Sequence, residues 1–173
     1  MTQYRRRFVP GGTYFFTVCL ADTQSDLLVE RVDLLRNAVR ICQKRRPLEI
    51  NDAVILPAKA HMIWTLPAGD MDFSARWRLT KSVFSRHVPP PATRSPSALR
   101  RGEKGIWQRR FWEHLIRNQG DYDLHAHLIA TAPLRAGLAR KETEWPLCSA
   151  YQRRMRFNAS PPLDQIRTIA PVP

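Results

Sequence analysis

The chain has 173 residues, 43% of them hydrophobic, which suits one domain with a substantial core. Its 28 Lys+Arg against 15 Asp+Glu give a formal charge of +13, and Arg far outnumbers Lys. That balance points to a polyanion, nucleic acid ahead of an anionic membrane surface, and no apolar run approaches the ~20 residues of a transmembrane helix.

A first strand is predicted at 13–20, "TYFFTVCL", after the turn signal Pro10-Gly11-Gly12. The run "DLLVERVDLLRNAVRICQKRR" then places Leu28, Val32, Leu35, Val39 and Cys42 at helical spacing, with a basic end and Pro47 to stop it. Strands are expected at 48–57 and 60–67, joined tightly around Pro57. A second helix is expected at 72–87, with Asp72 or Ser74 as its cap. The stretch 88–105, rich in proline, serine and arginine, reads as a basic, mobile loop.

Order resumes at 106–117, "IWQRRFWEHLIR", a strand-like run that puts Ile106, Gln108, Arg110, Trp112 and His114 on one face if alternation is unbroken. A last helix is expected from about Asp121, broken near Pro133 and closed at Gly137. The folded unit is placed at residues 1–153, and the proline-rich residues 154–173 read as a poorly structured tail. The element order β-α-β-β-α-β-α predicts an α+β fold: a ferredoxin-like βαββαβ core with an antiparallel sheet, plus a C-terminal helix. That architecture serves RNA-recognition modules and nucleases alike, so it settles no function.

The third strand poses a chemical question. In "LPAKAHMIW", Lys59 and His61 lie two apart and project from one face. Two imidazoles so placed can hold a divalent metal, but an ammonium offers no lone pair. The cysteines Cys19, Cys42 and Cys148 are scattered without a CxxC spacing, which suits reduced packing residues of a cytoplasmic protein. The basic N-terminus also lacks the apolar core of a signal peptide.

Four stretches together resemble the REP-associated tyrosine transposases, a bacterial branch of the single-tyrosine HUH transposases. They are "YRRRFVPGGTYFFTV" (4–18), "NDAVILPAKAHMIWTLPAGDMDFSARWRLTKSVFSR" (51–86), "IWQRRFWEHLIRNQGDYDLH" (106–125) and "EWPLCSAYQR" (144–153), in the family's order and spacing. The resemblance implies a His-x-His metal pair on a central strand and a tyrosine on a later helix. A polar helper follows the tyrosine by four residues, on the same helical face. The metal polarises a phosphate of single-stranded DNA, and the tyrosine attacks it to give a 5′-phosphotyrosine link.

Carried onto this chain, the pair falls on Lys59 and His61, leaving His61 as a residual metal ligand. The family's "Tyr-Ile-x-x-Asn-Pro" falls on "LIATAP", so Leu128 stands for the nucleophile and Ala132 for the helper. No catalytic set is intact. Lys59 has two readings: an ammonium in place of the metal's charge, preserving DNA binding without cleavage, or neutral drift. No tightly bound cofactor is expected; Mg or Mn belongs to the picture only if cleavage persists. A relocated nucleophile would point to Tyr122, six residues before Leu128, and a rebuilt metal site to His61, His114 and His127. A domesticated nucleic-acid-binding regulator is a further alternative.

The binding features survive. Tyr4, Arg5, Arg6 and Arg7 form a basic N-terminal arm, which in the family helps read a short sequence beside a DNA hairpin. Arg76, Arg78, Lys81 and Arg86 give the second helix a basic surface, and Arg109, Arg110 and Arg117 flank the aromatic strand. Arg94, Arg100, Arg101 and Lys104 suit phosphate contact from the loop, and at least two of Trp107, Phe111 and Trp112 are expected in the core. The expected partner is hairpin-bearing single-stranded DNA, the location the bacterial cytoplasm, and the state a monomer.

Overall fold

A computed structural model describes residues 7–159. The arm residues Tyr4, Arg5 and Arg6 and the tail from residue 160 lie outside the described residues. Strand β1 (Thr13–Cys19) is followed by the short helix α1 (Leu27–Glu30), helix α2 (Val32–Arg45), and strands β2 (Glu49–Ile55) and β3 (Lys59–Thr65). Helix α3 (Phe73–Arg86), the single-turn α4 (Pro96–Arg100), strand β4 (Trp112–Leu115), and helices α5 (Gln119–Arg135) and α6 (Ser149–Ala159) complete the order. The sheet runs β2-β3-β1-β4 with every neighbouring pair antiparallel. This is the expected ferredoxin-like arrangement.

Alternation along β1 decides the layers. Tyr14, Phe16 and Val18 point to one face, where they pack with Trp64, Phe73, Trp77 and Phe84 beneath α2 and α3. Trp64 and Trp77 stack there at 4.1 Å. Phe15 points to the other face and meets Val54, Ile63, Ile129 and Ala132 beneath α5. The two faces therefore carry two cores, and the second is the thinner one.

A bulge in β2 tunes this division. Ile50 pairs with Trp64 but Asp52 pairs with Ile63, so Asn51 is the extra residue. The slip turns Asp52 and Val54 towards α5 and leaves Ile50, Ala53 and Ile55 against α2 and α3.

Several elements differ from the sequence expectation. The predicted first helix is two, split at Arg31, whose backbone lies outside helical geometry (φ −115°, ψ 32°). Asp72, not Ser74, caps α3, accepting the Ala75 N–H at 2.9 Å. The 88–105 segment contains α4, started by the Ser95 cap with Pro96 in the first turn.

The strand expected at 106–117 shrinks to Trp112–Leu115, because Trp107 and Phe111, four apart, both turn into the α2/α3 core. Residues 106–108 still follow β1 loosely, through the Leu20–Trp107 bridge and the Gln108 N–H on the Cys19 carbonyl. Helix α5 starts at Gln119 and runs unbroken through Pro133; its C-cap Ala136 is followed by Gly137 at φ 69°. Pro133 has no N–H to give the Ile129 carbonyl, and the Cys148 thiol points at that oxygen from 3.8 Å. Helix α6 runs past residue 153, where the sequence drew the limit of the folded unit.

Candidate nucleic-acid interface

Strand register builds the site in rows. Trp112, Thr17, His61 and Val54 lie side by side across four strands on the α5 face. On one side of it lies the row of Cys19 and Lys59, and on the other the row of His114, Phe15, Ile63 and Asp52. Lys59 is exposed, while His61 is half-buried and shares a 2.8 Å hydrogen bond between Nδ1 and the Thr17 hydroxyl. Burial, and after it the charges of Lys59 and Arg135, push the His61 imidazole down to about 4, so it is neutral at physiological pH.

Helix α5 closes one side of this surface. Its Ala132 is buried against Phe15, Val54 and Ile63, and Leu128 is half-buried one turn earlier. Arg135, two turns after Leu128, folds back along the helix and donates from Nη2 to the Leu128 carbonyl at 2.8 Å. The structure thus brings Lys59, His61 and the helix edge at Leu128 and Arg135 into one neighbourhood. Sequence reasoning missed Arg135. Its signal was present in the spacing: positions 128, 132 and 135 form an i, i+4, i+7 stripe.

These residues do not fit a divalent metal. Of the positions that would ligate it, Lys59 carries an ammonium, Ala132 a buried methyl, and His61 has one ring nitrogen tied to Thr17. One free imidazole nitrogen is no coordination shell. The rebuilt set does not assemble either: among the described residues, the potential ligands that come together with His114 are Asp121 and His125, not His61 or His127.

His114 instead joins Asp121 and His125, with potential ligand atoms within 4.8 Å of one another. Each is already committed. His114 Nε2 lies 3.0 Å from both Asp121 oxygens, the Arg117 N–H donates to the same carboxylate, and His125 Nδ1 donates to the Asp121 carbonyl at 2.7 Å. Burial would raise the Asp121 carboxyl, but these donors and the two imidazoles hold it below the usual carboxylate range. The group reads as a clamp on the start of α5, where the helix dipole also favours an anion.

Tyr122 is also engaged. Its hydroxyl donates to Asp52 Oδ2 at 2.7 Å, and burial together with that hydrogen bond and charge raises its pKa far above the ordinary phenol range. Asp52 is 3% exposed and accepts in addition from Ser149, at 2.6 Å, and from Arg153. A phenol held this way, with an anion as its acceptor, is a poor nucleophile. Asp52 and its partners pin α5 and α6 to β2.

The expected DNA-binding cations divide. Arg7, Arg78, Arg86, Arg109, Arg110 and Arg117 are exposed. Arg76 corrects the sequence reading: it is 1% exposed, paired with Asp70 at 2.8 Å and bonded to the Pro47 carbonyl at 2.7 Å and the Asp72 carbonyl at 2.9 Å. It ties α3 to the α2–β2 connection and has no access to DNA.

Lys81 is half-buried, donates to the Gln108 carbonyl at 3.0 Å, and sits 5.6 Å from the Trp107 and Phe111 rings. Burial pushes it down to about 8, which leaves it protonated at neutral pH but committed to that carbonyl. Lys104, assigned to phosphate contact, instead caps α3 through the Ser85 carbonyl at 2.6 Å and the Val88 carbonyl at 3.0 Å.

Between α3 and residues 103–111 lies a groove of about 820 Å³ bordered by Arg78, Arg86, Arg109 and Arg110. A smaller hollow of about 320 Å³, lined by Thr17, Cys19 and Trp112, shares Gln108, Arg110 and Phe111 with it. The basic surface therefore continues from α3 to the row that holds His61. Trp112 stands at the junction, 48% exposed, stacked on His114 at 5.9 Å and edge-on to Phe15 at 5.6 Å. Trp107 and Phe111 pack against the core.

No family model matches the chain. It is 41% identical over 152 residues to the REP-associated tyrosine transposase of Escherichia coli strain K12, covering 88% of this chain and 84% of the relative. The chain belongs to the REP-associated tyrosine transposases. A Haemophilus influenzae relative assigned to the same family is 34% identical over 153 residues, covering 88% of this chain and 87% of the relative. Among solved structures, a REP-associated tyrosine transposase bound to a REP hairpin superposes with a TM-score of 0.76 at 40% identity, over 93% of this chain and 89% of the other. Membership in this transposase family agrees with the α+β fold, and the chain carries a surface of exposed arginines. Among the described residues, no helix is long and apolar enough to cross a membrane.

Proposed function

We propose that this REP-associated tyrosine transposase homologue is a bacterial, cytoplasmic DNA-binding protein that recognises a hairpin with an adjoining single-stranded segment and does not cut it. The observation that carries the reading is the close match, at 40% identity over nearly the whole chain, to a family structure bound to a hairpin. Two features support the division between binding and cleavage. The exposed cations Arg78, Arg86, Arg109 and Arg110 still border a continuous groove, and Trp112 still offers an indole face for an unpaired base. The positions matched to the nucleophile and its helper hold a leucine and an alanine, and among the described residues no divalent-metal shell surrounds His61.

Neither bound Mg nor bound Mn is required by this reading. Selection from a random single-stranded DNA pool tests it. Enrichment of hairpins carrying a short defined flank is the expected outcome. Enrichment of unstructured sequences would favour a regulator that has left the family's target behind.

A further inference from the structure

We propose that Lys59 and Arg135 form a metal-independent seat for one phosphate of single-stranded DNA, at the place where the family holds its metal and its tyrosine. This inference rests on the DNA-binding reading above and assigns a residue pair to it.

The geometry comes from both sides of the site. Lys59 opens β3 on the α5 face, two residues before His61, and its side chain is exposed. Arg135 comes from α5, and its guanidinium is drawn back two turns onto the carbonyl of Leu128. It therefore lies against the backbone of the very residue matched to the nucleophile. One guanidinium N–H group is spent on that carbonyl, and the remaining donors are left for an anion. Ala132, one turn before Arg135, packs in one cluster with Val54, the cross-strand partner of His61, so the end of α5 lies over the row that Lys59 adjoins.

The carboxylates of this sheet face do not cancel the pair. Asp52 is taken by Tyr122, Ser149 and Arg153, and Asp121 by His114, His125 and the Arg117 amide. What remains is a surface with two monocations, the His61 imidazole and, in the same strand row as His61, the exposed indole of Trp112. An ammonium and a guanidinium together match the charge of a divalent ion. Neither polarises a P–O bond as a Lewis acid does, and with leucine in place of tyrosine nothing stands in line to attack. The seat grips and does not cut.

The test measures affinity in EDTA for two oligonucleotides, a hairpin with a single-stranded flank and the same hairpin without it. The proteins are wild type, Lys59→Gln, Arg135→Gln, the double variant, and Arg31→Gln as an exposed control at the α1–α2 junction. Thermal unfolding confirms that each is folded. The expected result is on the order of a tenfold loss for each single variant on the flanked hairpin, as for loss of a charged hydrogen bond. The control and the unflanked hairpin should show little change. Tight wild-type binding unchanged in both variants overturns the seat and leaves the DNA-binding reading standing. Wild-type binding that needs manganese overturns its metal independence. Failure of the wild type to bind either oligonucleotide overturns the DNA-binding reading and the seat with it.

Discussion

His61 and Arg76 show how two residues of one chain can be read from their surroundings rather than their type. The neutral His61 has a folded-state pKa of about 4 against an ordinary 6.5. As pH falls through 6.5 the unfolded chain takes up a proton that the folded chain refuses until about 4. Stability is therefore complete above the ordinary value and declines across that window, by on the order of 3 kcal/mol at its lower end. Urea titrations from pH 7 to pH 4 should show this decline, and His61→Gln should flatten it. An identical slope in the variant would assign the pH dependence to other groups.

Arg76 is the opposite case, a fixed charge fully enclosed by Asp70 and two carbonyls. Arg76→Ala strands these acceptors and should cost roughly 3 kcal/mol or more in denaturant unfolding. Arg76→Lys should recover little of this, because one ammonium cannot reproduce the fork that spans Pro47 and Asp70. In sequence Arg76 was indistinguishable from Arg78. Helical phase relative to Trp77 and Thr80 separates them, and that phase is fixed only once α2 has docked.

At the scale of elements, strands β1, β2 and β3 and helix α3 were legible because alternation and caps are local signals. What escaped is set by tertiary contacts. Trp107 and Phe111 leave the strand pattern because the core beneath α3 has room for both rings. The β2 bulge is invisible in "LEINDAVI", since a one-residue slip leaves composition unchanged and only re-aims Asp52. Helix α6 followed from no apolar stripe; its first turn is held by Ser149 and Arg153 on Asp52, and Ala53 donates its N–H to Ser149 at 3.3 Å. Asp52→Ala should therefore loosen α6 ahead of the sheet. Hydrogen exchange is expected to speed up in residues 149–153 while β1 and β3 stay protected. Uniform loss across the molecule would mean that Asp52 supports the whole fold instead.

For the whole molecule, side chains at Lys59, His61 and Ala132 that do not fit a divalent metal and an exposed basic surface belong to one account. The +13 charge is distributed partly as structural cations, Arg76 and Lys104, and partly as the exposed arginines around the groove and Arg135. The matching of Leu128 and Ala132 to the nucleophile and its helper rests on family register alone. The spacing 128, 132 and 135 already put Arg135 on that helix edge, and its hydrogen bond to the Leu128 carbonyl is set by the folded α5.

The measurement that tests this account most directly reads binding and nicking together. A labelled hairpin with a single-stranded flank is titrated with wild-type protein, once with manganese and once with EDTA, across a range of salt. The account predicts equal affinity in both, a steep loss with salt of roughly 0.7 log units of affinity per log unit of salt for each single-strand phosphate neutralised, and intact DNA throughout. Manganese-dependent nicking with a covalent protein–DNA adduct would contradict it, and the adducted residue would name the nucleophile.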